Sequence, residues 1–263
     1  MMADDLVHLA VAGGVGTITL DSPANRNALS RRLVADLDRH LTTALAEPAV
    51  RVIVLTGTGS VFCSGADLKE RRTPEPAPPP GRPGGLAAIL TAMWEAPKPI
   101  VGRINGAARA GGLGLVAACD IAVAAEPTTF ALSEVRIGVI PATIAVVLVP
   151  KIGEARAMEL CLTGDVLDAR AAASYGLLNA AAPDGRLDEV VGRYVASLLK
   201  GEPTALAGCK RAVRDIPKLP MAAAFAEMGE RSSRFFASEE AREGMTAFAE
   251  KRPPRWAPSA RGG

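Results

Sequence analysis

Residues 104–120 read INGAARAGGLGLVAACD, and this stretch and its flanks contain the features that decide the fold. The apolar segment 99–104 predicts a strand, and the small-residue segment 111–119 predicts a helix. The apolar segment 121–125 then predicts a further buried strand. A strand, a helix and a strand in immediate succession indicate an α/β core.

The residues before this stretch extend the same pattern. Segments 6–11 and 15–20 predict two strands joined at a Gly13-Gly14 turn, and segment 51–56 predicts a strand covered on both faces. Ser30 is the expected N-cap of a helix between them. One face of this helix carries leucines at four-residue spacing: Leu33, Leu37, Leu41 and Leu45.

The residues after this stretch are predominantly helical from residue 155 onward. Helices are predicted over 157–162, 169–173, 187–199, 204–213, 221–237 and 239–250, the last with Ser238 as its N-cap. Between the two strand-forming regions, residues 73–85 (TPEPAPPPGRPGG) contain six prolines, which exclude a helix. We expect a loop inserted into one domain, placed as a flap beside a site. No internal repeat is visible.

Composition excludes several classes of function. The 263 residues include 30 Lys and Arg against 28 Asp and Glu, and this net charge of +2 argues against a nucleic-acid partner. No apolar run reaches the roughly 20 residues of a membrane span, and the acidic N-terminus does not resemble a signal peptide. We therefore expect a cytoplasmic protein. Four scattered cysteines predict buried thiols in a reducing compartment and no metal site.

Two familiar catalytic arrangements do not fit this sequence. The only histidines are His8 and His40, and no GxSxG is present, which argues against a Ser-His-Asp hydrolase. Residues 57–59 read GTG after a predicted strand. A dinucleotide-binding fingerprint would need glycine or alanine where Phe62 stands.

Two glycine-containing stretches are more informative. Residues 61–69 (VFCSGADLK) and 104–115 each follow a buried strand and place small residues where a helix would begin. Backbone N–H groups at such positions are free, and two such ends brought together can hold one oxyanion. Close packing of helix on strand explains the same glycines equally well. Spacing alone leaves both interpretations open.

Both stretches, together with four further motifs in the same order, resemble the crotonase (enoyl-CoA hydratase/isomerase) superfamily over nearly the whole chain. The further motifs are NALS at 27–30, SEVRIGVIP at 133–141, TG at 163–164 and EGMTAF at 243–248. The resemblance implies an α/β fold with a ββα spiral core over residues 1–200, which holds the CoA-binding and catalytic site. It also implies a helical trimerisation region over residues 201–263, a homotrimer or dimer of trimers, and an acyl-CoA substrate without a separate cofactor.

The resemblance also implies roles for individual residues. The backbone N–H groups of Ala66 and Gly111 match the family's oxyanion donors, and Glu134 matches the second of two catalytic glutamates. The implied contacts to the CoA thioester fall on Ser64, Leu68, Lys69, Phe248 and Lys251.

The sequence departs from the family at the first glutamate, which falls at Gly114. Whole-chain likeness favours a hydratase. The single carboxylate favours isomerisation of a 3-enoyl-CoA to a 2-enoyl-CoA, which needs one acid/base group. A catalytically weak CoA-binding scaffold is the third alternative. Arg109 either faces the acyl pocket and binds a substrate carboxylate or lies on the surface, and Ile144 is expected to narrow the pocket.

Overall fold

The structure is a computed structural model, and it describes residues 5–70 and 84–257. Its strands are β1 Val7–Ala12, β2 Val15–Leu20, β3 Val52–Gly57, β4 Val61–Cys63, β5 Ile100–Ile104, β6 Ala107–Arg109, β7 Ile121–Ala125, β8 Thr129–Ala131, β9 Leu167–Asp168 and β10 Ala180–Ala182. Its helices are α1 Arg31–Ala46, α2 Gly85–Glu95, α3 Gly111–Ala118, α4 Ala142–Ile152, α5 Glu154–Thr163, α6 Ala169–Ser174, α7 Leu187–Leu199, α8 Pro203–Asp215, α9 Met221–Phe236 and α10 Glu239–Ala249.

The larger sheet has six strands in the order β1-β2-β3-β5-β7-β10. Strands β1 and β2 form an antiparallel hairpin, and every later strand joins in parallel. Strand β3 is buried over its first five residues, in agreement with its unbroken apolar sequence. The strands predicted from segments 6–11, 15–20, 51–56, 99–104 and 121–125 are all confirmed in this sheet.

A second sheet, in the order β4-β6-β8-β9, was not predicted. Its strands are two or three residues long, too short to display a period of two. Strands β4, β6 and β8 lie parallel, and β9 closes the edge in the antiparallel direction. This sheet matters for function because β4 leads into the GADL segment and β6 leads into α3.

Helix α1 confirms its predicted cap and buried face. The Ser30 hydroxyl accepts a hydrogen bond from the Leu33 amide at 3.2 Å. Leu33, Leu37 and Leu41 are buried, but the last turn buries Ala44 and leaves Leu45 only partly covered. The 3.6-residue turn explains this change, because a four-residue spacing drifts away from the core along the helix.

The C-terminal region is helical, as predicted, and Ser238 caps α10 by accepting from the Ala241 amide at 3.1 Å. Helices α2 and α4 were missed. The proline-rich segment obscures the start of α2, and α4 contains Pro150. The predicted loop at residues 73–85 lies outside the described residues up to residue 83. No helix in the described ranges has the length and hydropathy of a membrane span.

Cysteine burial agrees only in part with expectation. Cys63 and Cys119 are buried, whereas Cys161 is partly covered and Cys209 is exposed on α8. The prediction of uniformly buried thiols was therefore wrong for Cys209, which lies on an exposed part of α8.

Candidate active site

Two turns of the second sheet meet at one point, the turn after β4 and the start of α3. A methyl group placed on Gly65 would lie 3.4 Å from the Gly111 nitrogen and 2.7 Å from Cβ of Ala110. Gly65 has a φ of +90°, and Ala110 has a φ of 47°. Both residues therefore hold backbone conformations that side chains disfavour. The two glycine-containing stretches thus come into contact, as the oxyanion hypothesis requires.

The backbone N–H groups of Ala66 and Gly111 are free at this meeting point. Within residues 5–70 and 84–257, neither group donates a hydrogen bond to a protein acceptor. The neighbouring groups are satisfied, because the Gly65 carbonyl accepts from Leu29 at 2.7 Å and the Ala110 carbonyl accepts from Leu113 at 2.9 Å. Two unused N–H donors beside carbonyls that are already bonded are suited to a negatively charged oxygen.

The buried side chain of Cys63 lies against Gly112, a contact that the sequence analysis missed. Burial raises the pKa of the thiol to about 12, and the nearby Gly65 amide acts against that rise. A methyl group on Gly112 would lie 2.5 Å from the Cys63 carbonyl oxygen, so only glycine fits there. The sequence signal was present, since Cys63 and Gly112 both belong to the quoted stretches.

Glu134 follows β8, the strand that is hydrogen-bonded to the residue before α3. It begins a short 3₁₀ helix, Glu134–Ile137, three residues after Ala131 of β8. The Ala131 carbonyl accepts a hydrogen bond from the Ala110 amide at 3.1 Å. One carboxylate oxygen of Glu134, Oε2, is buried and has no hydrogen-bond partner within the described ranges. Burial raises the pKa of Glu134, although a hydrogen bond from its own backbone N–H acts against that rise.

Gly114 faces apolar side chains. A methyl group on Gly114 would lie 3.3 Å from Ile144 and 3.4 Å from Leu90. Both side chains are buried, at 5% and 2% exposure. The three atoms nearest to that methyl group are all apolar carbons, which cannot hydrogen-bond a water molecule. Ile144 therefore borders the position of the missing glutamate, which agrees with its expected effect on the pocket.

Arg109 is partly buried on β6 and is held against β8. Its Nη1 donates to the Thr129 carbonyl at 2.6 Å, and its Nη2 donates to the Thr129 hydroxyl at 2.7 Å. Burial lowers the pKa of the guanidinium, and within the described ranges no carboxylate is paired with it. The structure thus holds Arg109 between the two predicted placements, half-buried and bonded to the neighbouring strand. Its binding to a substrate carboxylate stays a prediction.

The residues predicted to bind CoA fall into two groups. Ser64, Leu68 and Lys69 flank the Gly65 turn, with Ser64 partly buried and the other two exposed. Phe248 and Lys251 lie at the end of α10, exposed, and no described hydrogen bond joins them to that turn. Contact of the second group with the same ligand stays a prediction.

With the fold and this geometry established, comparison with known proteins identifies the class. Residues 10–259 match the family model for enoyl-CoA hydratase/isomerase, and the chain belongs to this family. The predicted resemblance is thereby confirmed, and so is the crotonase-type α/β fold with a helical C-terminal region.

Individual relatives agree with this assignment. A putative enoyl-CoA hydratase of Thermus thermophilus is 36% identical over 247 residues, covering 93% of this chain and 98% of its own. A carnitinyl-CoA dehydratase of Escherichia coli K12 is 32% identical over 256 residues, covering 95% and 97%. The crystal structure of an enoyl-CoA hydratase from Shewanella pealeana superposes with a TM-score of 0.87 at 28% identity, covering 95% and 96%.

Proposed function

We propose that this chain is an enoyl-CoA hydratase-type enzyme, with Glu134 as its single acid/base and the amides of Ala66 and Gly111 as its oxyanion donors. The observation that carries the proposal is the meeting of two turns with two free N–H groups. Relatives named as a hydratase and a dehydratase support chemistry on an acyl-CoA thioester.

In the proposed hydration, Glu134 accepts a proton from water as the water oxygen bonds to C3 of the enoyl group. The electron pair of the double bond moves toward the thioester carbonyl, whose oxygen becomes negative and binds to the two amides. The enolate then collapses, and C2 takes the proton from Glu134. Burial raises the pKa of Glu134, and a carboxyl that holds its proton more tightly is better suited to return that proton to C2.

The second candidate is isomerisation of a 3-enoyl-CoA. Here Glu134 removes a proton from C2 and returns it to C4, so no water is needed. The apolar contacts of Gly114 support this candidate, because the nearest side-chain atoms belong to Ile144 and Leu90, which cannot hydrogen-bond a water molecule. If neither reaction occurs while CoA still binds, the scaffold alternative stands.

Two substrates distinguish these candidates. Crotonyl-CoA reports hydration through loss of the conjugated thioester absorbance, and 3-hexenoyl-CoA reports isomerisation through its gain. We expect Glu134→Gln to lower kcat about 10²- to 10⁴-fold on the true substrate. The matched control Glu240→Gln, on exposed α10, leaves it unchanged. Equal turnover by wild type and Glu134→Gln would refute the proposed role of Glu134.

We also propose assembly into a homotrimer or dimer of trimers. Large apolar side chains are exposed on the C-terminal helices of the single chain, with Phe225 at 74%, Phe236 at 69% and Phe248 at 87%. Such a surface is typical of an interface. Light scattering coupled to gel filtration tests this directly, and a monomer at micromolar concentration would contradict it. A cytoplasmic location and independence from a separate cofactor stay predictions.

A further inference from the structure

A second cavity lies at the other end of α3, away from the two turns. It is a groove of about 1060 Å³ between α8 on one side and α2, α4 and the end of α3 on the other. Most of its lining is apolar, including Leu90, Val146, Val147, Leu206, Val213 and Pro217. None of these side chains belongs to the proposed catalytic machinery.

Three cations and one carboxylate form a cluster on the wall of this groove. Asp120 accepts from Lys210 at 2.8 Å and from Arg214 at 2.7 Å. The third cation, Lys151, donates to the carbonyl of Cys119 at 2.5 Å and forms no ion pair within the described ranges. Burial lowers the pKa of all three cations, because only one carboxylate offsets their desolvation. The cluster therefore has a deficit of negative charge.

Arg214 is the least satisfied member of the cluster. Its side chain is 15% exposed, and its guanidinium stacks on the Trp94 ring at 4.1 Å from the centroid. One terminal nitrogen, Nη1, is buried and has no acceptor within the described part of the chain. A purely structural ion pair between α8 and Asp120 explains the position of Nη2, which is bonded to Asp120. It does not explain why Nη1 is buried without an acceptor. The two remaining charged residues that line the groove are Glu95 and Lys218, which offset each other.

We propose that this groove binds a carboxylate carried on an apolar chain, with the carboxylate at Arg214 and the chain along the apolar wall. Arg214, Lys210 and Lys151 all line the groove against the single carboxylate of Asp120, and this excess of positive charge favours an anion over a neutral head group. The apolar lining stabilises a chain of several methylene groups, each worth about 0.8 kcal/mol when buried.

The same carboxylate has two conceivable sources, a free fatty acid and the far end of the substrate's own acyl chain. Leu90 touches the position of Gly114 and also lines the groove, so the groove reaches the side chain that borders that position. The second source rests on the proposed function, whereas the first does not.

Binding of decanoate and of decanol to the full-length chain tests the proposal. We expect saturable decanoate binding by calorimetry, with a change in the fluorescence of Trp94 and a Kd about tenfold or more below that of decanol. Arg214→Gln should weaken decanoate about tenfold and leave decanol unchanged. Arg211→Gln, whose side chain is 80% exposed on the same helix, is the matched control and should change neither.

The source is decided by comparing decanoyl-CoA with the CoA monothioester of decanedioic acid. A substrate-borne carboxylate predicts tighter binding of the second thioester, lost in Arg214→Gln, whereas a free fatty acid predicts no difference between them. If Arg214→Gln fails to fold, the comparison of decanoate with decanol on the wild-type protein still shows whether the groove prefers a carboxylate. Equal affinity for those two ligands, together with equal affinity for the two thioesters, would overturn the proposal. None of these measurements requires turnover, so failure of the catalytic proposal is seen separately.

Discussion

Helix α3 has two ends that differ in how their polar groups are satisfied. At its start, the N–H of Gly111 has no partner within the described ranges and lies beside the equally free N–H of Ala66. At its end, the Cys119 carbonyl accepts from Lys151, and Asp120 is held by Lys210 and Arg214. All eight residues between are buried. One short helix thus has an open end and a clamped end.

This difference shows how a buried helix can be held rigidly at one end and still offer unbonded N–H groups at the other. Clamping the C-terminal end fixes the helix in place through ion pairs. The N-terminal N–H groups then stay unbonded, within the described ranges, at the other end of the same fixed helix. Changes at the clamped end should therefore lower stability, and changes at the open end should lower turnover.

The largest effect is expected from Asp120→Asn at the clamped end. Removing the carboxylate leaves Lys210 and Arg214 without their counter-charge. Because Asp120 is 18% exposed, we expect a loss of about 3 kcal/mol, the low end for a broken buried pair. Urea unfolding measures the loss. The control Asp165→Asn removes an exposed ion pair to Arg136 and should cost at most about 1 kcal/mol. Similar losses in both variants would contradict a special clamp.

At the open end, Gly65→Ala should mainly lower turnover. Its methyl group would lie 2.7 Å from Cβ of Ala110 and would push the start of α3 away from the turn. Loss of one oxyanion donor costs about 10²- to 10³-fold in kcat. The control Gly192→Ala on α7 has nothing within 4 Å of the new methyl group and should leave kcat unchanged. Full turnover by a folded Gly65→Ala variant would contradict the proposal that the geometry of this turn is needed for catalysis.

Glu134→Gln should change stability in a pH-dependent way. Burial raises the pKa of Glu134 in the folded state, so the unfolded chain ionises first as pH rises. Wild type therefore loses stability above the unfolded pKa, near 4.5, until pH passes the folded pKa. The glutamine variant should be the more stable one above this range and equal to wild type below it. Thermal melts between pH 4 and pH 8 measure the difference, and a gap that is constant with pH would refute the shift.

The smallest effect is expected from Gly114→Ala, midway along the helix. Alanine favours a helix over glycine by about 1 kcal/mol, and a contact of 3.3 Å to Ile144 offsets part of that gain. We expect a stability change within about 1 kcal/mol and turnover within a few fold of wild type. Gly229→Ala on α9, with nothing within 4 Å, should show the full gain. A large loss of turnover in Gly114→Ala would indicate that an essential water uses this space.

The sequence predicted five strands of the larger sheet, but it did not predict the smaller sheet. Segments such as 15–20 and 187–199 coincide with β2 and α7 because their patterns extend over at least six residues. Strands β6 and β8 have three residues each and depend on their neighbours in space. The division of the chain after residue 200 stays a prediction.

The candidate site was predictable only in part for the same reason. Gly65 and Gly111 stand in recognisable stretches, but 46 residues separate them in the sequence, and nothing local reports their contact. Glu134 was found through the family motif, whereas the free oxygen of its carboxylate and the apolar contacts of Gly114 depend on tertiary packing. The Arg214 cluster joins residues 94 positions apart and left no sequence signal.

The strand order of the larger sheet has a consequence for synthesis on the ribosome. Each strand after the β1–β2 hairpin lies beside a strand made earlier, because the order β1-β2-β3-β5-β7-β10 follows the chain from its beginning. A nascent chain can therefore add each parallel strand to an edge that already exists, and no strand has to wait for a partner that has not been translated. The sheet can grow in one direction from its hairpin, so that only one edge besides that of β1 is open at each stage.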